Sequence, residues 1–434
     1  MNKGFSIKLS NEIKEVNSFI DHDYDDFYIQ NTQFDFLFEG VLLNKKKLLN
    51  EFALKDFETL ILELFKNKKE QIIKEFEGEF HGFIWDKSRN KIFVFTNATS
   101  TQRVFYGKFG VNLLIDTSLV RLNETLQKLG IKTEPDLESI YQLLCIGGML
   151  ENSTVINGVF KILDAHYLEI DLESMQYSEK EYFTAFNKPY FQKSKEKAYQ
   201  EINAIFNDAV VMEYHKDTEF GRNHLSLLSG GLDSRVAMLY AIKNNQIPDN
   251  AFCFSQSGYF DHTLSKKIAE DFGIHYEFVP LDDGIFLKKI DQLTTISEGL
   301  VFFTGAIHVQ HALDHLQYEN FGVFHSGQLG DAILGGYLSQ PAKIRPSNYK
   351  IISNNSYLNK IESRLDKAKK NYESEEAFLL RNRGFNMIIL GAHVLQQKRY
   401  QTSPFMSKEF LKFAAALPEE LKFNHRFYIE WVNE

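Results

Sequence analysis

The segment from Leu225 to Val236 constrains the fold most, because an apolar run, a glycine-rich hexapeptide and a helical pattern follow one another there. The hexapeptide reads Ser229-Gly230-Gly231-Leu232-Asp233-Ser234. Two adjacent glycines let the backbone approach an anion closely. The N–H groups at the start of the helix and the two serine hydroxyls can then donate to a phosphate. A bare Gly-Gly predicts only a tight turn, whereas the complete hexapeptide between strand and helix predicts a phosphate loop.

Strand and helix patterns alternate around this loop. The expected elements are a helix over 196–215, a strand over 225–228, a helix over 235–243, a strand over 251–255, a helix over 264–272 and a strand over 276–279. Alternation at this spacing predicts parallel βαβ units. The last hundred residues have a helical pattern, which is clearest from Phe410 to Ala416.

The first 180 residues have mainly strand character. Runs at 34–38, 82–85 and 91–95 predict strands, and the polar turn between the last two predicts a hairpin. Residues 48–65 and 137–145 have helical spacing. The polar stretch from Asn187 to Lys195 breaks the periodicity and predicts a linker. We therefore expect one domain over 1–186 and another over 196–434.

Composition and charge exclude several classes of protein. The net charge of −9 argues against a nucleic-acid binder, which needs a basic face. Only Cys145 and Cys253 are present, so the chain has no disulfide framework and no conventional zinc motif. No signal peptide and no apolar run of membrane-spanning length is recognisable. These features predict a cytoplasmic protein without a membrane partner, and they leave homo-oligomerisation open.

The hexapeptide resembles the ATP-binding loop (PP-loop) of the N-type ATP pyrophosphatases. A second segment, from Ser326 to Tyr337, reads Ser-Gly-Gln-Leu-Gly-Asp-Ala-Ile-Leu-Gly-Gly-Tyr and is similar to the second signature of asparagine synthetases. The resemblance implies an α/β domain with a parallel sheet, in which Asp233 and Asp331 hold Mg²⁺ on the pyrophosphate of ATP. Two converging carboxylates suit such a hard cation.

The resemblance also implies a set of site residues. Those expected to bind ATP are Leu228, Ser229, Gly230, Gly231, Leu232, Asp233, Ser234, Ser255, Ser326 and Gly327. Those expected to take part in catalysis are Asp233, Asp331 and Gln328. The implied chemistry converts a carboxylate and ATP into an acyl-adenylate and pyrophosphate, after which an amine displaces AMP. Mg²⁺ and cationic side chains must hold the departing charge.

The N-terminal half resembles the amidotransferase domain of the same family, through the run Glu77 to Asp86 and through 154–171. The implied fold is the α+β sandwich of the N-terminal-nucleophile hydrolases, whose nucleophile is a cysteine at position 2. Here that residue is Asn2, and Glu39-Gly40 stands at the Asn-Gly oxyanion element. The glutamine-gripping Arg-Gly-Pro-Asp segment is absent, and Cys145 fits a buried structural thiol. These departures predict a domain without glutaminase activity.

The loss of the nucleophile resembles β-lactam synthetases, lasso-peptide cyclases and related ligases. Gln328 replaces the glutamate of asparagine synthetases and weakens the case for asparagine as product. The leading hypothesis is therefore an ATP-dependent ligase that joins a small-molecule or peptide carboxylate to an amine. A tRNA-modifying ATP pyrophosphatase fits the acidic chain poorly. A degenerate synthetase that binds nucleotide or a partner without turnover remains the alternative.

Three weaker expectations concern the C-terminal half. The stretch from Ser403 to Lys422 resembles a family segment in which Ser407 replaces an aspartate. Family members continue into helices that carry a cation near the pyrophosphate, so the chain has either reduced helices or a truncated end, and Arg426 is the nearest cation. The substrate pocket is expected around 298–311, where Thr304, Gly305 and His308 are candidate lining residues, although a histidine there is more often structural.

Overall fold

The computed structural model of the protein describes residues 3–20, 23–186, 191 and 194–434. Asn2 and most of the predicted linker at 187–195 lie outside the described residues. The described chain forms two compact units. The first contains the residues up to Leu143, Met149–Thr184 and Glu298–Leu300, and the second contains Leu144–Gly148, Ala185–Ser297 and Val301–Glu434.

The first unit is built mainly from antiparallel strands. Its strands are β1 (Phe5–Leu9), β2 (Lys14–Ser18), β3 (Phe27–Gln30), β4 (Phe34–Leu42), β5 (Gly78–Asp86), β6 (Lys91–Thr96), β7 (Phe105–Phe109), β8 (Asn112–Asp116), β9 (Phe160–Lys161), β10 (His166–Asp171) and β11 (Gln176–Glu181). Its helices are α1 (Lys45–Glu51), α2 (Phe57–Lys68), α3 (Leu119–Lys128) and α4 (Leu137–Ile146), the last of which crosses the boundary at Leu143.

These strands form two sheets that pack face to face. One sheet has the order β2-β1-β8-β7-β9 and the other the order β11-β10-β6-β5-β4-β3. Every residue of β4 is buried, because its side chains alternate between two cores. Phe36 and Phe38 pack with the α2 residues Leu60 and Leu64, whereas Leu37 packs with residues of the other sheet. The unit is thus a sandwich covered by helices.

The single helix predicted over 48–65 is wrong. The chain forms α1 and α2 there, separated by a turn in which Ala53 has a φ of 53°. The Asp56 carboxylate accepts a hydrogen bond from the backbone N–H of Thr59 at 2.8 Å and so caps α2. A side-chain cap of this kind begins a new helix, which helical spacing of apolar residues alone cannot reveal.

The second unit contains the predicted strand and helix alternation. Its strands are β12 (Asn223–Leu227), β13 (Asn250–Ser255), β14 (His275–Pro280), β15 (Phe321–His325) and β16 (Gln401–Thr402). Its helices are α5 (Lys195–Phe220), α6 (Leu232–Lys243), α7 (Phe260–Phe272), α8 (Ile290–Ile296), α9 (Ile307–Leu313), α10 (Leu358–Lys370), α11 (Glu375–Leu379), α12 (Leu390–Leu395), α13 (Lys408–Ala416), α14 (Glu419–Lys422) and α15 (Arg426–Asn433).

All five strands of this unit are parallel and have the order β14-β13-β12-β15-β16. One face packs against α8 and α9, through residues such as Leu293 and Ile307, and the other packs against α6 and α7, through Met238 and Ala269. The chain leaves β12 toward β13 and later returns to its other side with β15. A crevice at the carboxyl ends of strands forms at such a point of reversal, and ligands bind there.

The predicted fold class is confirmed: an antiparallel, helix-covered sandwich precedes a parallel α/β sheet. The strands predicted at 34–38, 82–85 and 91–95 lie within β4, β5 and β6, and β5 pairs with β6 as a hairpin. The functional division into domains 1–186 and 196–434 stays a prediction. None of the helices in the described part of the chain combines the length and the apolar character that crossing a membrane requires.

Candidate active site

A cavity of about 980 Å³ opens at the carboxyl ends of β12, β13 and β15. It is lined by residues of the first loop (Ser229–Ser234), of the second loop (Ser326–Tyr337) and of the start of α15. Its lining includes Leu228, Ser229, Gly231, Leu232, Asp233, Ser234, Ser255, Ser326, Gly327, Gln328, Asp331, His425 and Tyr428. All the residues predicted to bind ATP or to take part in catalysis, except Gly230, therefore line one cavity, although the sequence separates them by up to 103 positions, from Leu228 to Asp331.

The first loop is held by its own polar groups. The Ser229 and Ser234 hydroxyls lie 3.1 Å apart, and the Ser229 hydroxyl accepts a hydrogen bond from the Gly231 N–H at 3.1 Å. The Gly230 N–H donates to Asp261 Oδ1 at 2.9 Å. The serine hydroxyls thus shape the loop, while the N–H groups in the first turn of α6 have no acceptor within the helix. That first turn is the part of the loop best suited to an anion.

The second loop contacts the first at Asp233, through both its carboxylate and its backbone. The Asp331 N–H donates to Asp233 Oδ2 at 2.8 Å. A Cβ atom at Gly327 would lie 2.2 Å from the carbonyl carbon of Asp233, so any side chain there would force the loops apart. The absence of a side chain at Gly327 thus allows the two loops to meet. This contact brings Asp233 and Asp331, the two predicted metal-binding residues, close together.

The Asp233 carboxylate lies in an unusual electrostatic environment. Burial and, second, the negative charge of Asp331 raise its pKa to about 6. Its Oδ1 accepts a hydrogen bond from the Tyr428 hydroxyl at 2.8 Å, and burial together with Asp233 raises the pKa of that tyrosine, which stays neutral. A nearby cation stabilises a partly desolvated carboxylate most strongly when a second carboxylate lies beside it. Two such oxygen donors fit Mg²⁺.

Gln328 lies on the cavity wall with its amide engaged on both sides. Its Nε2 donates to the Ile388 carbonyl at 2.9 Å, and its Oε1 accepts from Gln401 Nε2 at 2.9 Å. Gln401 belongs to β16, so Gln328 joins the second loop to the edge of the sheet. Ser255 ends β13, and its buried hydroxyl donates to the Gln256 carbonyl at 3.1 Å.

The start of α15 adds residues that the sequence did not single out. His425 and Tyr428 line the cavity, whereas the guanidinium of Arg426 is exposed and lies 3.2 Å from Glu430. Both Asn424 and His425 have φ near +57°. Two successive non-glycine residues with a left-handed backbone are energetically costly and are characteristic of functional sites. Arg426, which the sequence suggests as the cation nearest the site, is not among the residues that line this cavity, whereas the neighbouring His425 is.

The basic groups of the cavity are few. Among the residues that the structure describes, its lining includes three carboxylates (Asp233, Asp261 and Asp331), two histidines (His308 and His425) and neither lysine nor arginine. Burial lowers the pKa of His308, which is therefore neutral near pH 7. The Nδ1 atom of His425 is buried and has no hydrogen-bond partner among the described residues.

Of the three residues expected to line the substrate pocket, one lies on this cavity, and the role of the other two stays a prediction. Thr304 and Gly305 belong to the short turn Phe303–Gly305 and are absent from the residues that line the cavity. His308 does line it, and its ring packs near Phe254 with the ring centres 5.9 Å apart.

At the expected oxyanion element of the first unit, the polar groups pair with neighbouring side chains of the same unit. Glu39 and His81 are both buried, and Glu39 Oε2 lies 2.8 Å from His81 Nε2. The Gly40 N–H donates to Asp26 Oδ1 at 2.8 Å. A carboxylate and an engaged N–H at these positions are the opposite of what a developing oxyanion needs. Cys145 is buried in α4, as expected for a structural thiol.

Comparison with known families agrees with this two-unit organisation. The family model described as asparagine synthase matches residues 201–394. The model described as glutamine amidotransferase domain matches residues 26–183. Fold and site together define a chain with an amidotransferase-type sandwich and a synthetase-type parallel sheet. The chain belongs to the asparagine synthetase-like family.

Two curated relatives are similar over most of this chain. A putative asparagine synthetase (glutamine-hydrolyzing) 2 of Methanocaldococcus jannaschii is 23% identical over 328 residues, which are 73% of this chain and 61% of the relative. Asparagine synthetase (glutamine-hydrolyzing) 3 of Bacillus subtilis is 22% identical over 334 residues, which are 69% of this chain and 51% of the relative. The chain thus spans only part of the length of these relatives.

Solved structures give weaker likenesses. A glutamine phosphoribosylpyrophosphate amidotransferase from B. subtilis, complexed with ADP and GMP, is 10% identical with a TM-score of 0.25 and covers 58% of this chain and 47% of its own. A glutamine-dependent NAD+ synthetase from Acinetobacter baumannii is 13% identical with a TM-score of 0.23, over 51% of this chain and 48% of its own. At such scores neither likeness bears on function.

Proposed function

We propose that this protein is an ATP-dependent ligase that forms an amide bond after activating a carboxylate as its acyl-adenylate. The observation that carries the proposal is the contact of the two signature loops, in which the Asp331 N–H meets Asp233 Oδ2 at 2.8 Å inside the cavity. Family membership supports an amide-forming activity in general. The cavity volume of about 980 Å³ is ample for a nucleotide and a second substrate.

In the proposed reaction, a carboxylate oxygen of the substrate attacks the α-phosphorus of ATP, and the bond from that phosphorus to the bridging oxygen breaks. Pyrophosphate leaves with the electron pair. An amine nitrogen then attacks the acyl carbon, AMP leaves, and the amine loses one proton. The loop Ser229–Ser234 and the first turn of α6 would orient the phosphates, since backbone N–H groups at a helix start favour anions.

Asp233 and Asp331 are the residues that would hold Mg²⁺, because their oxygens are hard donors on one side of the cavity. When bound, the ion would offset the negative charge of the leaving pyrophosphate. The Tyr428 hydroxyl and the Asp331 N–H orient the Asp233 carboxylate through one hydrogen bond to each oxygen. Gln328 would serve as a positioning residue, since its amide links the second loop to β16.

His425 is the residue we assign to the departing pyrophosphate. It lines the cavity beside the two loops, and its ring can donate a hydrogen bond to an anion. Its unpartnered Nδ1 and its left-handed backbone support an orientation set by the site rather than by local structure. This assignment gives a histidine the role that the sequence suggested for Arg426.

The same proposal excludes glutamine as nitrogen donor. The Glu39–His81 pair and the Asp26–Gly40 bond fill the expected oxyanion element. The nitrogen would then come from ammonia or from an amine on a second substrate. The first unit would act as a structural partner of the synthetase unit.

The test is to follow the nucleotide products while the protein is incubated with ATP, Mg²⁺, a panel of carboxylates, and ammonia or primary amines. The proposal expects AMP and pyrophosphate, and no glutamate from added glutamine. ADP and phosphate would contradict an acyl-adenylate. ATP binding without any product across the panel would favour the degenerate, nucleotide-binding alternative, which the engaged amide of Gln328 also fits.

A further inference from the structure

A buried carboxylate lies between the two strands that lead into the signature loops. Asp217 belongs to α5 and is completely buried. Its Oδ2 accepts from His325 Nε2 at 2.7 Å and lies 2.9 Å from His224 Nδ1. His224 is the second residue of β12, and His325 is the last residue of β15. One side chain of a helix thus ties both strands together.

The other oxygen of the same carboxylate interrupts the pairing of these strands. Asp217 Oδ1 accepts the Val323 N–H at 2.7 Å. Asn223 pairs with Phe321 and Leu225 with Phe324, so β15 advances three residues while β12 advances two. The extra residue makes a β-bulge, and the Val323 N–H is satisfied by a carboxylate at that point.

Gly322 explains how the carboxylate reaches the bulge. A Cβ atom at this position would lie 2.0 Å from Asp217 Oδ1, so even alanine would push the carboxylate away. Because side chains alternate along a strand, the register of a pair fixes what each strand presents at its end. Ser326 follows β15 directly, and Leu228 and Ser229 follow β12.

The charges around Asp217 favour a fixed ion pair. Burial alone would lower the pKa of His325, but Asp217 and Glu213 raise it to about 9. Burial would raise the pKa of Asp217, but His325 and the hydrogen bonds of His224 and Val323 lower it. The ring of Tyr214 stacks on His325 at 3.7 Å between ring centres.

The same three groups have the chemistry of a metal site, since one ligand atom from each of Asp217, His224 and His325 lies within 4.8 Å of the others. The hydrogen bonds argue for a different role. Both oxygens of Asp217 already accept hydrogen bonds, two of them from the histidine nitrogens that a metal would need. A metal would have to replace both of these histidine contacts.

We propose that Asp217 is a positioning residue of the ATP site, which sets the register of β15 against β12 and thereby the meeting of Asp233 with Asp331. The inference rests on the proposed function for the identity of the ligand. Without the carboxylate the bulge would lose the acceptor of the Val323 N–H. A register slip of one residue moves a strand end by about 3.3 Å, which is enough to separate Asp331 from Asp233.

The experiment measures the dissociation constant of ATP with and without Mg²⁺ for the full-length wild-type chain and two variants. Asp217→Asn removes the charge but keeps one acceptor, and Gly322→Ala displaces the carboxylate without changing it. Leu365→Ala, at a buried position of α10, is the control for a general loss of stability. Thermal unfolding of each variant shows that it is folded.

For the wild type and Leu365→Ala, we expect Mg²⁺ to lower the dissociation constant of ATP about tenfold or more. For Asp217→Asn and Gly322→Ala, we expect Mg²⁺ to lower it about twofold or less. Binding without Mg²⁺ should change little, because it depends mainly on the first loop. A full Mg²⁺ effect in Asp217→Asn, or an equal loss of binding with and without Mg²⁺, would overturn the inference. So would stoichiometric Zn²⁺ binding that His224→Gln abolishes. A wild-type chain that binds no ATP would instead contradict the proposed function.

Discussion

The two units of this molecule differ in what the polar groups at the family's two expected sites face. In the first unit, the Glu39 carboxylate faces His81, and the Gly40 N–H faces Asp26. In the second unit, Asp233, Asp331 and His425 line a cavity of about 980 Å³. The groups of the first unit pair within a closed core, whereas those of the second unit, although Asp233 also accepts two hydrogen bonds, line a cavity that can hold a ligand.

This difference supports the proposed separation of roles between the two units. A polar group that has found a protein partner loses binding energy for a substrate, because that partner must first be displaced. A desolvated carboxylate next to another, such as Asp233 beside Asp331, has a raised pKa and gains from a cation. We therefore expect substitutions in the second unit to change activity and those in the first to change stability.

The largest effect is expected from Asp331→Asn. The substitution removes one of the two carboxylates proposed to hold Mg²⁺, so it should lower the rate of ATP–pyrophosphate exchange by about 10²–10³-fold. The measurement is the exchange rate at saturating ATP. Glu39→Gln in the first unit is the matched control and should exchange at the wild-type rate. An equal loss of the exchange rate in both variants would contradict the proposed difference between the two units.

A smaller loss is expected from His425→Ala. Removing the hydrogen bond to the departing pyrophosphate should lower kcat about 10–100-fold and leave the KM for ATP nearly unchanged. Arg426→Ala, one residue further on and exposed beside Glu430, should retain the wild-type kcat. If Arg426→Ala were the slower variant, the sequence-based assignment of that cation would be correct.

In the first unit, Glu39→Ala is expected to affect folding instead. It leaves the buried His81 ring without the acceptor that now lies 2.8 Å from Nε2. The free energy of unfolding should fall by about 2–4 kcal/mol, as measured by urea denaturation. The rate of ATP–pyrophosphate exchange, measured on the folded fraction, should not change. A loss of exchange beyond the unfolded fraction would argue against the separation of roles.

The smallest effect concerns Lys161, a buried cation of β9 whose Nζ has no hydrogen-bond partner among the described residues. Burial, and then the charge of Arg103, lower its pKa to about 8, although Asp164, Glu179 and Glu151 act in the opposite direction. A lowered lysine pKa means that the charged form is penalised in the folded state. The penalty is complete below pH 8 and disappears as pH rises toward the unfolded value of about 10.4.

Lys161→Met should therefore raise the free energy of unfolding at pH 7 by about 1–2 kcal/mol, and the gain should shrink as the pH approaches 10. Urea denaturation of wild type and variant at both pH values provides the measurement. A variant that is less stable than the wild type at pH 7 would show that Lys161 is stabilised by its acidic neighbours.

Much of the fold and part of the site could be predicted because the signals are local. Ser229 to Ser234 and Ser326 to Tyr337 each form a continuous segment after an apolar strand. Gly327 shows the limit of such reasoning. Its place in a motif was visible, whereas the reason for it is the backbone of Asp233, 94 residues away, at 2.2 Å from a hypothetical Cβ.

The remaining site residues depend on contacts that no local pattern encodes. Tyr428 reaches Asp233 across 195 positions, and its helix start carries no motif. His425 precedes α15 with a left-handed backbone, so no helical spacing links it to Tyr428, and from the sequence the charge of Arg426 favours that residue instead. Gln401 and Thr402 form a strand of two polar residues, which no apolar pattern marks. Their pairing with β15 becomes visible only in the folded sheet.

The most direct test of the central claim is exchange of labelled pyrophosphate into ATP by the wild-type chain, with a panel of carboxylates and without any amine. Adenylation is reversible when no amine is present, so exchange reports that step alone. The account predicts exchange that needs both Mg²⁺ and one class of carboxylate, and that disappears in Asp331→Asn. ATP binding without exchange for any carboxylate, or exchange that persists in Asp331→Asn, would contradict it.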